Sequence, residues 1–543
     1  MAAPSAFSNF KISALLQLQL LQLLLLLLLL TSMPVQPARI LVALAPDNKS
    51  HLRSMLPLIN RLASSGHDVH IFYFSSEKME EKLFPNVSLT AVDTDRSRHE
   101  NITKEMGGRI WKHTMHTPMM ALVYQMFAQS CDVLVEKHSD KLTQVLNSPW
   151  DLLVIGELFS VHAYAFARLL SDHRRVPFVV FSPAVMMNSN TFKNALGHSW
   201  VTHPHPFSPV PHHFNDRFQP ECFTDRLANV LENLGELAFS PFIGWFVFSF
   251  NKQINAFRFG PFCHCPQNCP IDGEMALVDS IDLLAFPQPG ANEVLSAGAH
   301  CEEPSELSQE YRNFVGDPRS NGTVYVAFGT VVPWDYAPPH VANAFFEAFE
   351  RMPDYRFIFS YRGTFPNRTL SPHIRLVPWA PQLEVLAHPK TKVFLTHSGL
   401  KSIKESLCTR TPMLAMPVFA EQAHNAKMVL EFGIGVGLSK FSIDTQTVFN
   451  GLKELLDNPK YTRRVGQLQR IFLDKPMEAL DEANFHLSRI IRRSKLEESE
   501  RRKRDFFKRK GTLLGALESF YLDCAFILLI SAAGSERLSL SSV

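Results

Sequence analysis

Between Trp379 and Gln422 the chain reads WAPQLEVLAHPKTKVFLTHSGLKSIKESLCTRTPMLAMPVFAEQ, with polar groups at fixed offsets around short apolar runs. The runs at 392–395 and 413–418 are bounded by Pro, Gly or polar residues, as buried parallel strands are. Thr396, His397, Ser398 and Gly399 then fall at a strand's carboxyl end, and residues 400–408 continue as a helix. In open α/β sheets ligands bind outside the carboxyl ends of strands, and a helix N-terminus offers free N–H groups and partial positive charge to an anion. A diphosphate suits that place. His397 and Ser402 can donate to phosphate oxygens, while Trp379 and Gln382, after a predicted strand at 374–377, offer a stacking face and an amide for a base and a ribose. Glu421 and Gln422 pair an acceptor with a mixed donor and acceptor, the chemistry that holds sugar hydroxyls.

The pattern W-x2-Q-x3-L-x-H, F-x2-H-x-G, S-x2-E, Pro and a terminal Glu-Gln resembles the donor signature of the UDP-glycosyltransferase family, which includes the glucuronosyltransferases. The resemblance implies roles by position: Trp379 to the uracil, Gln382 and Glu405 to the ribose, His397 and Ser402 to the diphosphate in the turn that holds Gly399, and Glu421 and Gln422 to the sugar. Three positions depart from the pattern. Ser398 replaces a usual Gly, Ala or Cys, Arg410 stands where Gly is common, and Lys401 either helps to neutralise phosphate or crowds it. Any one Trp, His or Glu alone is more often core or solvated surface than ligand, so the joint spacing carries the reading. Glu384 and His388 have the weakest claim, and His388 reads as a helix-end cap.

The elements that must position these groups begin upstream. Residues 39–44 read as a strand, 50–64 as an amphipathic helix ending at Gly66, and 67–74 as the next strand. The stretch lacks G-x-G-x-x-G, which disfavours a dinucleotide oxidoreductase. It is similar to the opening of the same family, where His51 matches the catalytic base. A His that accepts a hydroxyl proton becomes imidazolium and is stabilised by a carboxylate on its other nitrogen. In the family that acid follows a later strand, here 151–155. Gly156 stands at its position by straight counting, and Glu157, one residue on, is taken as the partner.

A chain of 543 residues exceeds what one core supports, so two domains are expected. The resemblance implies a GT-B arrangement, two Rossmann-like α/β domains facing across a cleft: an acceptor domain over 39–290, a linker over 291–322 and a donor domain over 323–490. Gly329 and Thr330, after a predicted strand at 323–328, join the donor contacts, and no metal or other cofactor is called for beyond the UDP-sugar itself. Residues 183–270 are rich in Phe, Pro and His and suit a variable pocket for a lipophilic acceptor. One displacement at the anomeric carbon inverts the α-linked donor to a β-product. UDP-glucuronate is the expected donor, with UDP-glucose as the alternative; a second class of reading is a silent relative that binds UDP-sugar or lipophile without transfer.

Net charge is +2, with 46% hydrophobic and 20% charged residues, giving no reason to expect nucleic acid. Lys11, a Leu-dominated run over 15–30 and small residues to 38 have the form of a signal peptide, a retained signal anchor being the alternative. Either implies the secretory pathway, which in this family means the endoplasmic reticulum lumen. Sequons occur at Asn48, Asn86, Asn101, Asn321 and Asn367. Cys263, His264, Cys265 and Cys269 do not match zinc spacing, and a disulfide among Cys263, Cys265, Cys269 and Cys301 is expected instead. Over 491–543 a basic run from Arg501 to Lys510 precedes an apolar stretch broken by Glu518 and Asp523, a candidate membrane anchor whose alternative is an interfacial segment. Homo-oligomerisation is left open.

Overall fold

The computed structural model describes residues 37–496, apart from 79–85, 188–203, 212–218, 259–272, 282–283, 285, 287–291 and 366–367, together with 524–531. The expected signal peptide, the Cys263–Cys269 cluster, Asn367 and most of the candidate anchor lie outside the described residues.

Two all-parallel sheets carry the chain. The first contains β1 (Arg39–Ala43), β2 (Asp68–Phe74), β3 (Val87–Val92), β4 (Leu152–Gly156), β5 (Phe178–Ser182), β6 (Ala276–Val278) and β7 (Val294–Ser296), in the order β3-β2-β1-β4-β5-β6-β7. The second contains β8 (Gly322–Ala327), β9 (Tyr355–Ser360), β10 (Ile374–Val377), β11 (Thr391–Thr396), β12 (Met413–Ala415) and β13 (Gly435–Gly437), in the order β10-β9-β8-β11-β12-β13. Strands such as β4 and β5 are apolar but for Ser182 at the end of β5 and are buried at every position, because helices cover both faces of the sheet. Strand order reverses between β1 and β4 in one sheet and between β8 and β11 in the other. Such switch points open a crevice at the carboxyl edge, and all the predicted site residues except Trp379, Gln382, Glu421 and Gln422 follow one of these four strands.

The helices that bear on the site are α1 (Lys49–Ser64), α2 (Met120–Lys137), α3 (Val161–Arg174), α4 (Phe223–Arg258), α5 (Gln382–Ala387), α6 (Leu400–Thr409), α7 (Gln422–Glu431) and α8 (Ala479–Ser494). Helix α1 buries Leu52, Met55, Leu58, Ile59 and Leu62, the i, i+3, i+7 stripe that locks one face onto the sheet and leaves His51 beside it.

Two domain boundaries differ from expectation. Strand β7 pairs with β6 and belongs to the first sheet, so the linker expected from 291 starts inside that sheet. Helix α8 crosses back: Ala483, Leu487 and Ile491 join the core over β1 and α1, and Asp481 pairs with Arg61. In return Ile110 and Trp111 pack into the core of the second domain, and the Trp111 Nε1–H donates to Pro333 O at 2.8 Å. Each domain is therefore completed by a segment from the other, which holds the two switch points in register.

Candidate functional site

His51 is set by the loop after β1. The Asn48 side chain caps α1, its Oδ1 accepting from Ser50 Oγ at 2.7 Å and His51 N at 3.2 Å. That sequon is thus engaged as a helix cap. Asp47, at φ 47°, accepts from Ser75 Oγ, from Ser76 N and from Thr94 Oγ1, and pairs with Arg96. Burial alone would raise the Asp47 carboxyl, but the hydrogen bonds from Thr94 and Ser76 and the Arg96 charge hold it below the usual carboxylate range.

The partner expected for His51 is not where sequence counting put it. Its ring stacks on Phe159, with centroids 6.3 Å apart and planes inclined by 12°, and its buried Nδ1 has no hydrogen-bond partner. Burial pulls the imidazole down to about 3. The Glu157 carboxylate is buried too, but Oε1 accepts from Met187 N at 3.1 Å and no hydrogen bond joins it to His51 among the described residues. The cause is the turn after β4: Phe159 adopts φ 62°, a left-handed conformation unusual for a bulky residue, and it is this residue that meets the ring. Gly156 could not carry an acid without movement, since a Cβ there would meet Ser160 Oγ at 2.7 Å and Leu44 Cδ2 at 3.2 Å. Phe159 had no signal in spacing; a bulky residue at positive φ is invisible in sequence.

On the second domain the predicted residues come together. Gly329, at φ 70°, and Gly399 flank the His397 imidazole: a Cβ on Gly329 would lie 2.8 Å from its Cε1 and one on Gly399 2.7 Å from its Nε2. Only hydrogen at both positions lets the ring sit at the mouth of the β8–β11 crevice. Burial lowers His397 to about 4, opposed by a hydrogen bond to the Ala327 backbone, so the ring is neutral at pH 7 and that bond engages its single N–H. Ser398 follows at φ 65°, its buried hydroxyl without a partner. Helix α6 then starts at Gly399 with no side-chain cap, which leaves its first-turn N–H groups for a ligand; Ser402 lies in that turn, buried.

Gln382 Nε2 donates to the Glu405 carboxylate across α5 and α6, so the pair assigned to a ribose is preassembled. Burial raises the Glu405 carboxyl, opposed by Lys401. Lys401 itself pairs with Glu302 at 3.2 Å, which resolves the choice left open for it: its charge is met by the linker. Trp379 is 47% exposed, and the Arg53 guanidinium of α1 lies 4.7 Å from its ring centroid, bridging the two domains. Glu421 precedes α7, its carboxyl raised by burial. Gln422 departs from expectation in part: its Oε1 accepts from Val418 N at 2.9 Å and Phe419 N at 3.1 Å, so half of its amide holds the loop. Arg410 sits at φ 58° as the cap of α6, the conformation that makes Gly common there, and His388 caps α5.

Between the domains lies a cleft of about 530 Å³ lined by Lys49, Arg53, Thr330, Arg362, Phe365 and Trp379, among others, a size that suits a nucleotide sugar. Beside it a Cys301–Cys408 disulfide ties the linker to α6. The expected cysteine set was therefore wrong in part: Cys301 does pair, with Cys408, a residue 107 positions away that spacing could not suggest. Next to it, the buried Lys404 and Asp279 form an ion pair at 2.5 Å across the domains. Behind His51, Phe159 packs with Tyr124 at 5.2 Å and Phe127 at 5.3 Å, and Tyr124 meets Phe239 of α4 at 5.9 Å, an aromatic wall on the first domain.

A family model described as UDP-glucoronosyl and UDP-glucosyl transferase matches residues 38–496. UDP-glucuronosyltransferase 1A6 of Mus musculus is 27% identical over 461 residues, covering 83% of this chain and 82% of that protein. UDP-glycosyltransferase UGT5 of Dactylopius coccus is 27% identical over 457 residues, covering 82% and 81%. Among solved structures, Os79 from O. sativa aligns with a TM-score of 0.54 at 16% identity, over 83% of this chain and all of that one. Medicago truncatula UGT71G1 complexed with UDP-glucose aligns with a TM-score of 0.53 at 15% identity, over 84% and 99%. These likenesses establish the two-domain GT-B fold.

Proposed function

As the chain belongs to this UDP-glucuronosyl and UDP-glucosyl transferase family, whose reaction moves a sugar from a UDP-sugar, we propose glucuronosyl transfer to a hydroxyl of a small lipophilic acceptor. The observation that carries this reading is one cleft lined from both domains, by Lys49 and Arg53 of the helix that bears His51 and by Thr330 and Trp379 of the second domain.

In this reading the uracil stacks on Trp379 after displacing Arg53, the ribose hydroxyls meet Gln382 and Glu405, and the diphosphate lies on the α6 N-terminus with His397, Gly399, Ser402, Gly329 and Thr330 around it. Glu421 and the Nε2 of Gln422 take sugar hydroxyls. The acceptor rests on the wall of Phe159, Tyr124 and Phe239, and its oxygen attacks the anomeric carbon as His51 removes its proton. The oxygen–carbon bond forms as the bond to UDP breaks on the opposite face, so the product is the β-anomer. A neutral imidazole carries one N–H and keeps the lone pair of its other nitrogen for the acceptor's proton, while burial makes it a weaker base than an exposed histidine. What favours glucuronate over glucose is the cationic rim of the cleft, Arg53 and Arg362, with Asp335 the one acid in its lining and Lys49 already paired to Glu77 at 2.7 Å. The Cys301–Cys408 disulfide supports an oxidising, luminal location, in keeping with the signal-like N-terminus.

The test is an assay of the full chain with radiolabelled UDP-glucuronate and UDP-glucose over a panel of phenols and aliphatic alcohols. Transfer from UDP-glucuronate at the higher kcat/KM is expected. Preference for UDP-glucose would move the donor assignment, and UDP-sugar binding without transfer on any acceptor would mark a silent relative.

A further inference from the structure

Helix α4 turns a mixed face, polar at its start and aromatic further on, into the protein and leaves an apolar stripe on its outer side. Inward it buries Asn229, Glu232, Asn233, Glu236, Phe239 and Phe250. The two carboxylates there are engaged: Glu232 accepts from His116, Thr117 N and Thr117 Oγ1, and Glu236 from His205 Nε2 at 2.7 Å. Outward, Phe223, Leu227, Leu231, Leu234, Phe242 and Trp245 are each between 43% and 66% exposed. Steps of three, four, seven and eight residues keep these positions on one stripe of a 3.6-residue helix. At 1.5 Å per residue the stripe is roughly 33 Å long. Between Arg226 and Lys252 the only charged residues are Glu232 and Glu236; the outer face there carries none.

We propose that this face of α4 lies on a lipid bilayer, with the helix parallel to the surface. Three observations choose lipid over a second copy of the chain. A stripe of that length and one helix diameter in width covers about 350 Å², well under the ~800 Å² per partner that a stable dimer buries, whereas a bilayer needs no complementary surface. The chain carries another exposed apolar element: in residues 524–531, Phe526, Ile527, Leu528, Leu529 and Ile530 are 56–69% exposed, and the run from Arg501 to Lys510 before it has the charge that anionic headgroups attract. Finally, α4 has one face buried in the first domain, so it can meet lipid only along its outer face. Interfacial helices keep a polar face toward water; here that face is turned into the protein, where its carboxylates are satisfied.

The consequence joins the two faces. The inner side of α4 supplies Phe239 to the aromatic wall beside His51, so a lipophilic acceptor leaving the bilayer would meet the wall within one helix diameter. The lipid contact stands on the exposed face alone; only this route for the acceptor rests on the function proposed above.

The test uses the full chain bound to vesicles of equal parts phosphatidylcholine and phosphatidylserine. An environment-sensitive fluorescent amino acid is installed at Leu231 or at Leu234, and at Arg319, near the amino-terminal edge of the second sheet, as control; retained UDP binding shows that each labelled chain is folded. Brominated phosphatidylcholine is expected to quench the probes at Leu231 and Leu234 by about twofold or more and the probe at Arg319 little. Equal quenching at all three, or none at Leu231 and Leu234, overturns the proposal. So does energy transfer between copies labelled at Leu231 without lipid quenching, which would assign the face to a second copy. Leu227→Glu with Phe242→Glu, made in the chain labelled at Leu231, then separates the consequence from the contact. It should raise KM for a vesicle-borne phenol by ~10-fold and leave KM for the UDP-sugar unchanged; loss of quenching with no change in either KM removes the acceptor route alone.

Discussion

The two halves of the cleft are built on opposite principles. On the donor side each polar group has its geometry fixed by another: His397 between two glycines and bonded to the Ala327 backbone, Glu405 bonded to Gln382, Gln422 bonded to Val418 and Phe419. On the acceptor side two histidines, unlike His116 and His205, stand among rings without polar partners: the Nδ1 of His51 beside Phe159, and both nitrogens of His162 among Phe72, Phe74 and Phe166. The difference separates two tasks. Holding a diphosphate requires donors aimed in advance, because they cannot reorganise at the moment of reaction without cost. Taking a proton requires a nitrogen lone pair open to the acceptor, and an apolar enclosure keeps the imidazole neutral for that at a cost in basicity.

The sharpest way to break this division is to remove one side and look for damage on the other. His51→Ala should cut kcat by ~10³-fold, within the range for losing a general base, while the Kd for UDP by titration calorimetry stays within about twofold. A weakened Kd would show that the halves are not separate. Next in size is Gly399→Ala, whose new Cβ would fall 2.7 Å from His397 Nε2 and push the ring out of the crevice. UDP affinity should drop by ~30- to 100-fold, about 2 to 3 kcal/mol, with folding intact by circular dichroism. Unchanged affinity would mean that the ring is not a donor contact.

The donor half was legible in sequence because its residues are local: Trp379 to Gln422 spans a few βα units, and each polar group follows its strand by a fixed count. Strand 374–377 appears at those residues and most other core strands within a residue or two, since buried parallel strands are short apolar runs, while the run expected over 413–418 is a strand only over Met413–Ala415. What was hidden depends on the third dimension. Asn48 reads as a glycan acceptor until its Oδ1 is found capping α1. Cys408 joins Cys301 across the domain boundary, and α8 returns to the first core after sequence had left it. Glu157 seemed the only acid near enough, yet the backbone at Phe159, not the count from β4, decides which side chain meets His51.

A third prediction tests the cost of enclosing histidines without partners. His162 is fully buried, neither ring nitrogen has a hydrogen bond, and burial pulls it down to about 3. Its folded value lies below the unfolded one, so the unfolded chain binds the proton first and stability falls as pH drops from about 6.5 toward 3. At pH 5 the penalty is ~2 kcal/mol for this residue. His162→Phe fits the surrounding rings and takes no proton, so urea midpoints measured from pH 7.5 to 4.5 should fall less steeply than in the parent chain. A matching slope would mean that His162 finds a proton acceptor after all.

The smallest effect is the most discriminating. Glu157→Gln keeps a carbonyl oxygen that can accept from Met187 N and removes only the charge. With no carboxylate bonded to His51, kcat should change by less than about threefold and its acid limb should stay in place. An orienting acid behaves otherwise: replacing it by its amide reverses the hydrogen-bonding sense, favours the wrong tautomer and lowers kcat by orders of magnitude. A large loss would therefore show that domain closure turns Glu157 onto the imidazole and that the acceptor half gains its charge partner only with substrate bound. A small one leaves desolvation by Phe159 and its neighbours as the means by which His51 is kept ready for the proton.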